Sequence, residues 1–238
     1  YGSRLAAVIM EPCRHDDPDP GFLQFVRDEA HRCGALLIFD EITIGWRLHY
    51  GGAHVAFGVH PDLAVFAKAL GNGHPVGAVI GTRAAMEGAQ QSFISSTYWT
   101  ESIGPTAALA TLKKMATVDV PNHVFQVGEK VTEAWRRYGE MYQLPIVTGG
   151  NYYCLAQFSF KHERAALLRT MYTVKMLERG FLAGTSIYPT IAHNDEVVLK
   201  YCDAIEEVFA EMSNVLQTGD LDQYDTNTIA SSGFARLL

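Results

Sequence analysis

Three places in this 238-residue sequence put reactive side chains where a ligand could reach them. Asp40-Glu41 directly follows the apolar run Leu36–Phe39. If that run is a parallel strand, the acids sit at its carboxyl end, where open α/β sheets bind ligands. Lys68 follows a second apolar run and precedes the turn-forming stretch Gly71-Asn72-Gly73-His74-Pro75. A lysine beside glycine-rich backbone suits a Schiff-base amine, which desolvation makes easier to deprotonate. Ser95-Ser96-Thr97 precedes an expected helix start, where hydroxyls and free N–H groups suit a phosphate.

Each feature also has a plainer reading. The acids could face solvent, the lysine could be a hydrated surface cation, and the hydroxyls could cap a helix. Asp40-Glu41 also resembles the second acidic box of P-loop nucleotide hydrolases, but no GxxxxGK[ST] loop is present in this sequence. The glycines after Lys68 fail the dinucleotide fingerprint in spacing, and a strand rather than a helix is expected next. Taken together, an acid, an amine and a hydroxyl cluster are what pyridoxal phosphate (PLP) requires. Its ring nitrogen needs a partner, its aldehyde a lysine and its phosphate an anchor.

The elements that must position these groups read as α/β. Leu5–Met10, Leu36–Phe39, Leu63–Phe66 and Val76–Ile80 are short apolar runs without alternation, as expected for a mostly parallel sheet covered on both faces. Asp19-Pro20 reads as a cap and first helical residue. Phe22, Val26 and Ala30 follow at helical spacing, and Gly34 is the stop. A helix is expected to start between Thr100 and Pro105 and run to about Met115. A longer one should follow Asp119, with Val120, Val124, Val127, Val131, Trp135 and Tyr138 along one stripe. Leu144-Pro145 and Gly149-Gly150 read as breaks. Tyr152–Phe160 reads as an antiparallel strand, Glu163 to Arg179 as a helix, and Asn194 or Asp195 as the cap of a last helix. The expected organisation is a partial large domain over 1–118, a linking helix over 119–140, a small α+β domain over 141–215 and a loose tail over 216–238.

Composition narrows the function classes. A net charge of −7 and pI near 5.7 leave no electrostatic footprint for nucleic acid or an anionic membrane. Apolar runs are too short to span a bilayer, and Tyr1-Gly2-Ser3-Arg4 is not a secretory signal. Four dispersed cysteines and nine dispersed histidines lack zinc or redox spacing, so no metal site is expected and a reducing, cytoplasmic setting is.

At the level of motifs, Ala7–Pro12 (AVIMEP), Leu37–Arg47 (LIFDEITIGWR), Tyr50–Ala53 with Phe57-Gly58-Val59 and Pro61-Asp62-Leu63, and Lys68–Gly81 (KALGNGHPVGAVIG) resemble the class III PLP-dependent aminotransferases. Tyr50–Leu63 is most similar to the glutamate-1-semialdehyde aminomutase group. The resemblance runs from about Leu5 to about Met212. It implies the C-terminal half of a fold-type-I enzyme, with Lys68 forming the Schiff base and shuttling the Cα proton. It implies Asp40 on the pyridine nitrogen, Ile42 against the ring face and Thr97 on the phosphate of a neighbouring subunit. A homodimer with shared active sites follows, using a small-molecule amino donor and a carbonyl acceptor.

Ser-Ser-Thr-Tyr-Trp-Thr departs from the Gly-Thr-x-x-Gly-Asn pattern of the aminomutase itself, which favours a less specialised aminotransferase. No arginine in Gly184–Asn194 stands ready to clamp a substrate carboxylate. The family's upstream half, with its phosphate cup and ring-stacking aromatic, is absent from this sequence. A piece of a longer polypeptide, or one completed by a second chain, is therefore expected, with an uncovered sheet edge and an exposed apolar face. The alternatives are a 2,1-aminomutase and a non-catalytic fragment or assembly partner.

Overall fold

A computed structural model describes residues 2–219 together with Leu221 and Ile229. The chain divides into two compact units, 1–122 and 123–238.

The first unit is built on a four-stranded sheet in the order β1-β2-β3-β4, comprising Ala7–Met10, Leu36–Asp40, Leu63–Phe66 and Ala78–Gly81. β1, β2 and β3 run parallel, and β4 returns antiparallel to β3. Helix α1 (Phe22–Arg32) makes the crossover from β1 to β2. Its Leu23 joins Leu37, Phe39 and Val59 in one buried cluster, and Val8 and Val26 pack against it. Ala64, Phe66 and Leu70 form a second cluster with Ala108 and Leu112 of α4 (Ile103–Met115). The short helices α2 (Ala53–Phe57) and α3 (Arg83–Gln90) complete the unit.

Register makes the two sheet faces unequal. Ile9 pairs with Ile38 and Ile38 with Leu63, while Asp40 pairs with Val65 and Val65 with Val79. Residues in register share a face. The face carrying Asp40 is therefore apolar yet open, with Ile9 64% and Val79 51% exposed. Leu37 and Phe39 on the opposite face are fully buried.

The start of α1 differs from expectation. Gly21, in the left-handed region at φ 81°, precedes Phe22 without a side-chain cap, and Asp19 contributes only its carbonyl, to Phe22 N at 2.9 Å. Asp19-Pro20 thus makes the turn before the helix.

The second unit is α+β. Helix α5 (Val120–Met141) supplies the buried stripe Val124, Val127, Val131, Trp135 and Tyr138. A two-stranded antiparallel sheet pairs β5 (Ile146–Gly149) with β6 (Gln157–Phe160). Helices α6 (Ala165–Glu178) and α7 (Asp195–Thr218) add Leu168, Met171, Tyr172, Met176, Ile205, Val208 and Phe209 to the same core. Asn194 caps α7 by accepting from Val197 N at 3.0 Å. β6 is shorter than the expected 152–160 strand, because Tyr153–Leu155 form a 3-10 turn. β5 lies between the two expected breaks, which the sequence reading left without a strand: Pro145 precedes it and Gly150 follows it. The part of the expected tail beyond Gly219 lies outside the described residues, apart from Leu221 and Ile229.

Candidate active site

The carboxyl ends of β2 and β3 are neighbours on one edge of the sheet, because the strands are parallel and paired through Asp40 and Val65. That edge receives both Asp40 and the chain leaving β3 toward Lys68. Asp40 is half-buried. Its Oδ1 accepts from Ile42 N at 2.9 Å, a local turn that sends the chain out of the sheet into the 41–52 loop. Ile42, next along, is also half-buried.

Lys68 opens a one-turn 3-10 segment, Lys68–Leu70. Its backbone is left-handed at φ 40°. A non-glycine residue held there costs of order 1–3 kcal/mol, and such strain concentrates at functional sites. The side chain is exposed, and its Nζ donates to Thr43 Oγ1 at 2.9 Å. A contact across 25 positions thus joins the chain leaving β3 to the loop leaving β2.

Thr43 itself is buried, and its backbone is tied down. Arg47 Nε donates to the Thr43 carbonyl at 2.9 Å, and Gly45 N donates to the Glu41 carbonyl at 2.8 Å. A Cβ on Gly45 would lie 2.6 Å from that carbonyl and 2.7 Å from the Phe66 ring, so only glycine lets the loop close this tightly.

Glu41 has turned inward. Its carboxylate is buried and accepts from the backbone N–H groups of Ala53 and His54 and from His54 Nδ1, the last at 2.5 Å. An acid at the start of a helix satisfies N–H groups that have no partner within it. Glu41 is thereby committed to holding α2, whereas Asp40 keeps one oxygen clear of the local turn. This assigns the two acids different work and removes the nucleotide-box reading of the pair.

Thr97 lies in the 91–100 stretch, every residue of which is exposed. Phe93 there is 96% exposed and Trp99 67%. The structure brings Asp40, Ile42, Thr43 and Lys68 to one end of the sheet and leaves Thr97 on the surface. Thr43 is the part of the site's frame that sequence reasoning missed, and Glu41, named together with Asp40, proves to have a structural task. Thr43 carries no periodic signal and finds its partner 25 residues away. Glu41 differs from Asp40 only by falling on the inward side of the turn. Among the described residues, no group of three or more His, Cys, Asp or Glu could hold a metal ion. No helix among them is long and apolar enough to cross a membrane.

The parallel sheet followed by an α+β unit is the fold of solved PLP transaminases. The FumI protein of Sphingopyxis sp. MTA144, in its PLP internal aldimine form, superposes with a TM-score of 0.81 at 21% identity, over 92% of this chain and 54% of that one. An omega-transaminase from Sphaerobacter thermophilus gives 0.74 at 21% identity, over 87% and 52%. The chain belongs to the family Aminotransferase class-III, whose pattern matches residues 2–209. It is 32% identical to a 3-aminobutyryl-CoA aminotransferase of Cloacimonas acidaminovorans (strain Evry), over 89% of this chain and 54% of the relative. Identity is also 32% to a glutamate-1-semialdehyde 2,1-aminomutase of Exiguobacterium sp. (strain ATCC BAA-1283 / AT1b), over 89% and 53%. The chain thus spans about half the length of the curated relatives it matches.

Proposed function

We propose that the protein acts in PLP-dependent transfer of an amino group from a small-molecule amine to a carbonyl acceptor. The observation that carries this reading is Lys68: a strained, exposed amine tied to the β2 loop, which leaves the sheet at the strand end that carries Asp40. The donor set fits the cofactor. An accessible amine matches an aldehyde, and a carboxylate with an uncommitted oxygen matches a ring nitrogen. Both lie at the end of an apolar sheet face that remains open.

When bound, PLP supplies an electron sink for the carbanion at the substrate Cα. The chain's own groups have simpler tasks. Asp40 holds a proton on the ring nitrogen by placing a negative charge beside it. Lys68 Nζ would take the proton from substrate Cα and deliver it to C4′ of the cofactor. Ile42 packs on the ring face and excludes water. Thr97 donates its hydroxyl to the cofactor phosphate in a second copy's site, so the working form is a homodimer. Its exposed position supports that assignment. The small α+β domain over 141–215 follows the linking helix 119–140. A cytoplasmic setting is part of this reading.

Similarity to the aminomutases supports a second reading, in which both halves of the reaction run on one carbon skeleton. Incubation with PLP and a panel of amine and carbonyl pairs, followed by mass spectrometry of the products, tests the two. Amino transfer between different molecules that vanishes in Lys68→Ala supports the aminotransferase. Isomerisation of one amino compound without any acceptor supports the aminomutase. Neither activity in PLP-loaded protein contradicts both.

A further inference from the structure

We propose that Thr43 is the positioning residue for Lys68: its buried hydroxyl holds the amine in the orientation from which it engages PLP. The inference rests on Lys68 being the cofactor lysine.

The hydroxyl lies 2.9 Å from Lys68 Nζ and accepts a hydrogen from it. Lysine has four rotatable side-chain bonds and loses much rotamer freedom when fixed. An exposed lysine gains little by giving this up for a casual surface contact. Here the acceptor is immobile. Thr43 is buried, Arg47 grips its carbonyl, and the Gly45–Glu41 turn and the Glu41 clamp on α2 fix the backbone on both sides. Lys68 arrives with a strained backbone, so both partners are set before any ligand binds. Effective concentration depends on such pre-organisation. A valine in place of Thr43 would keep the shape and lose the acceptor, which separates positioning from core filling.

The test uses the purified protein in its native assembly, with PLP alone as the probe. Borohydride quenching at successive times, followed by peptide mass spectrometry, gives the rate at which Lys68 becomes modified, with Lys68→Ala as background. Thr43→Val and Thr43→Ala should each slow that rate about tenfold, in line with loss of one hydrogen bond to a charged group. Thr43→Ser, which keeps the hydroxyl, should stay within about threefold of the parent protein. A hydroxyl-free variant as fast as the parent would overturn the proposal, and so would a serine variant as slow as valine. If the parent protein itself gains no adduct on Lys68, the cofactor-lysine reading fails first and this inference falls with it.

Discussion

Glu41 and His54 meet at 2.5 Å between Oε1 and Nδ1, inside a loop that also delivers the N-terminus of α2 to the same carboxylate. The pair closes the segment between β2 and α2, so the geometry around Thr43 depends on an acid that takes no part in the chemistry.

Glu41→Ala should therefore destabilise the protein strongly. It leaves two backbone N–H groups and the His54 ring without their acceptor, at a cost of about 2–4 kcal/mol. His54→Ala should cost less, because the two N–H groups keep Glu41. Urea unfolding midpoints check this. A Glu41→Ala midpoint equal to that of the parent protein would show that the carboxylate is not a clamp.

Asp40→Asn should separate chemistry from stability. The Asn carbonyl can still accept from Ile42 N, so the turn persists and stability changes by less than about 1 kcal/mol. The negative charge is lost, and kcat/KM should fall about a hundredfold or more. Steady-state kinetics beside urea unfolding would show the split. Equal kinetics in mutant and parent would remove Asp40 from the site.

At the opposite edge of the sheet, Asp62 predicts an acid-sensitive contribution. Burial alone would raise its carboxyl pKa, but the Leu37 N–H at 2.8 Å and His31 at 2.8 Å, with Arg27 nearby, outweigh that and hold it below the usual range. A lowered folded value means that the unfolded chain binds the proton more readily. The contribution is then complete above the unfolded pKa of about 4 and is lost as pH falls through the folded value. Asp62→Asn should cost about 1–2 kcal/mol at neutral pH and flatten the stability profile below about pH 4. An unchanged acid limb would contradict this.

Alkali should act on the second unit. The Tyr172 and Tyr201 hydroxyls share a 2.8 Å hydrogen bond in the core. Burial pushes Tyr201 up to about 12 and Tyr172 well above its usual value. A raised folded value favours the neutral phenol, so this stability is full below the unfolded pKa of about 10 and is lost as pH rises through the folded one. Phenolate absorbance should show two tyrosines titrating only on unfolding. Tyr172→Phe should leave Tyr201 without that partner and cost about 1–2 kcal/mol. Titration of every tyrosine near pH 10 in the folded protein, to order of magnitude in population, would rule out the buried pair.

The parts of the fold that sequence made legible are those set by continuous apolar runs with a clear stop. β2 and β3 end where Asp40 and Ala67-Lys68 interrupt Leu36–Phe39 and Leu63–Phe66. Strand ends are also where ligands bind in such sheets, which makes Asp40 and Lys68 legible from the sequence as candidates. The exposed apolar face was legible too, and Ile9 and Val79 display it. β5 was not, because Pro145 and Gly149-Gly150 mark its ends as strongly as they would mark a loop, and its pairing with β6 decides the matter. Thr43 stayed hidden because its partner lies far along the chain. Local pattern cannot report a contact that only the parallel crossover creates.

Everything proposed for the site turns on Lys68 being the amine that engages the cofactor. The most direct measurement is borohydride reduction of the PLP-treated protein, followed by peptide mapping. One modification is expected, on the peptide carrying Lys68 and accompanied by loss of a visible absorption band. A modification on another lysine, or a visible band that persists in Lys68→Ala, would contradict it.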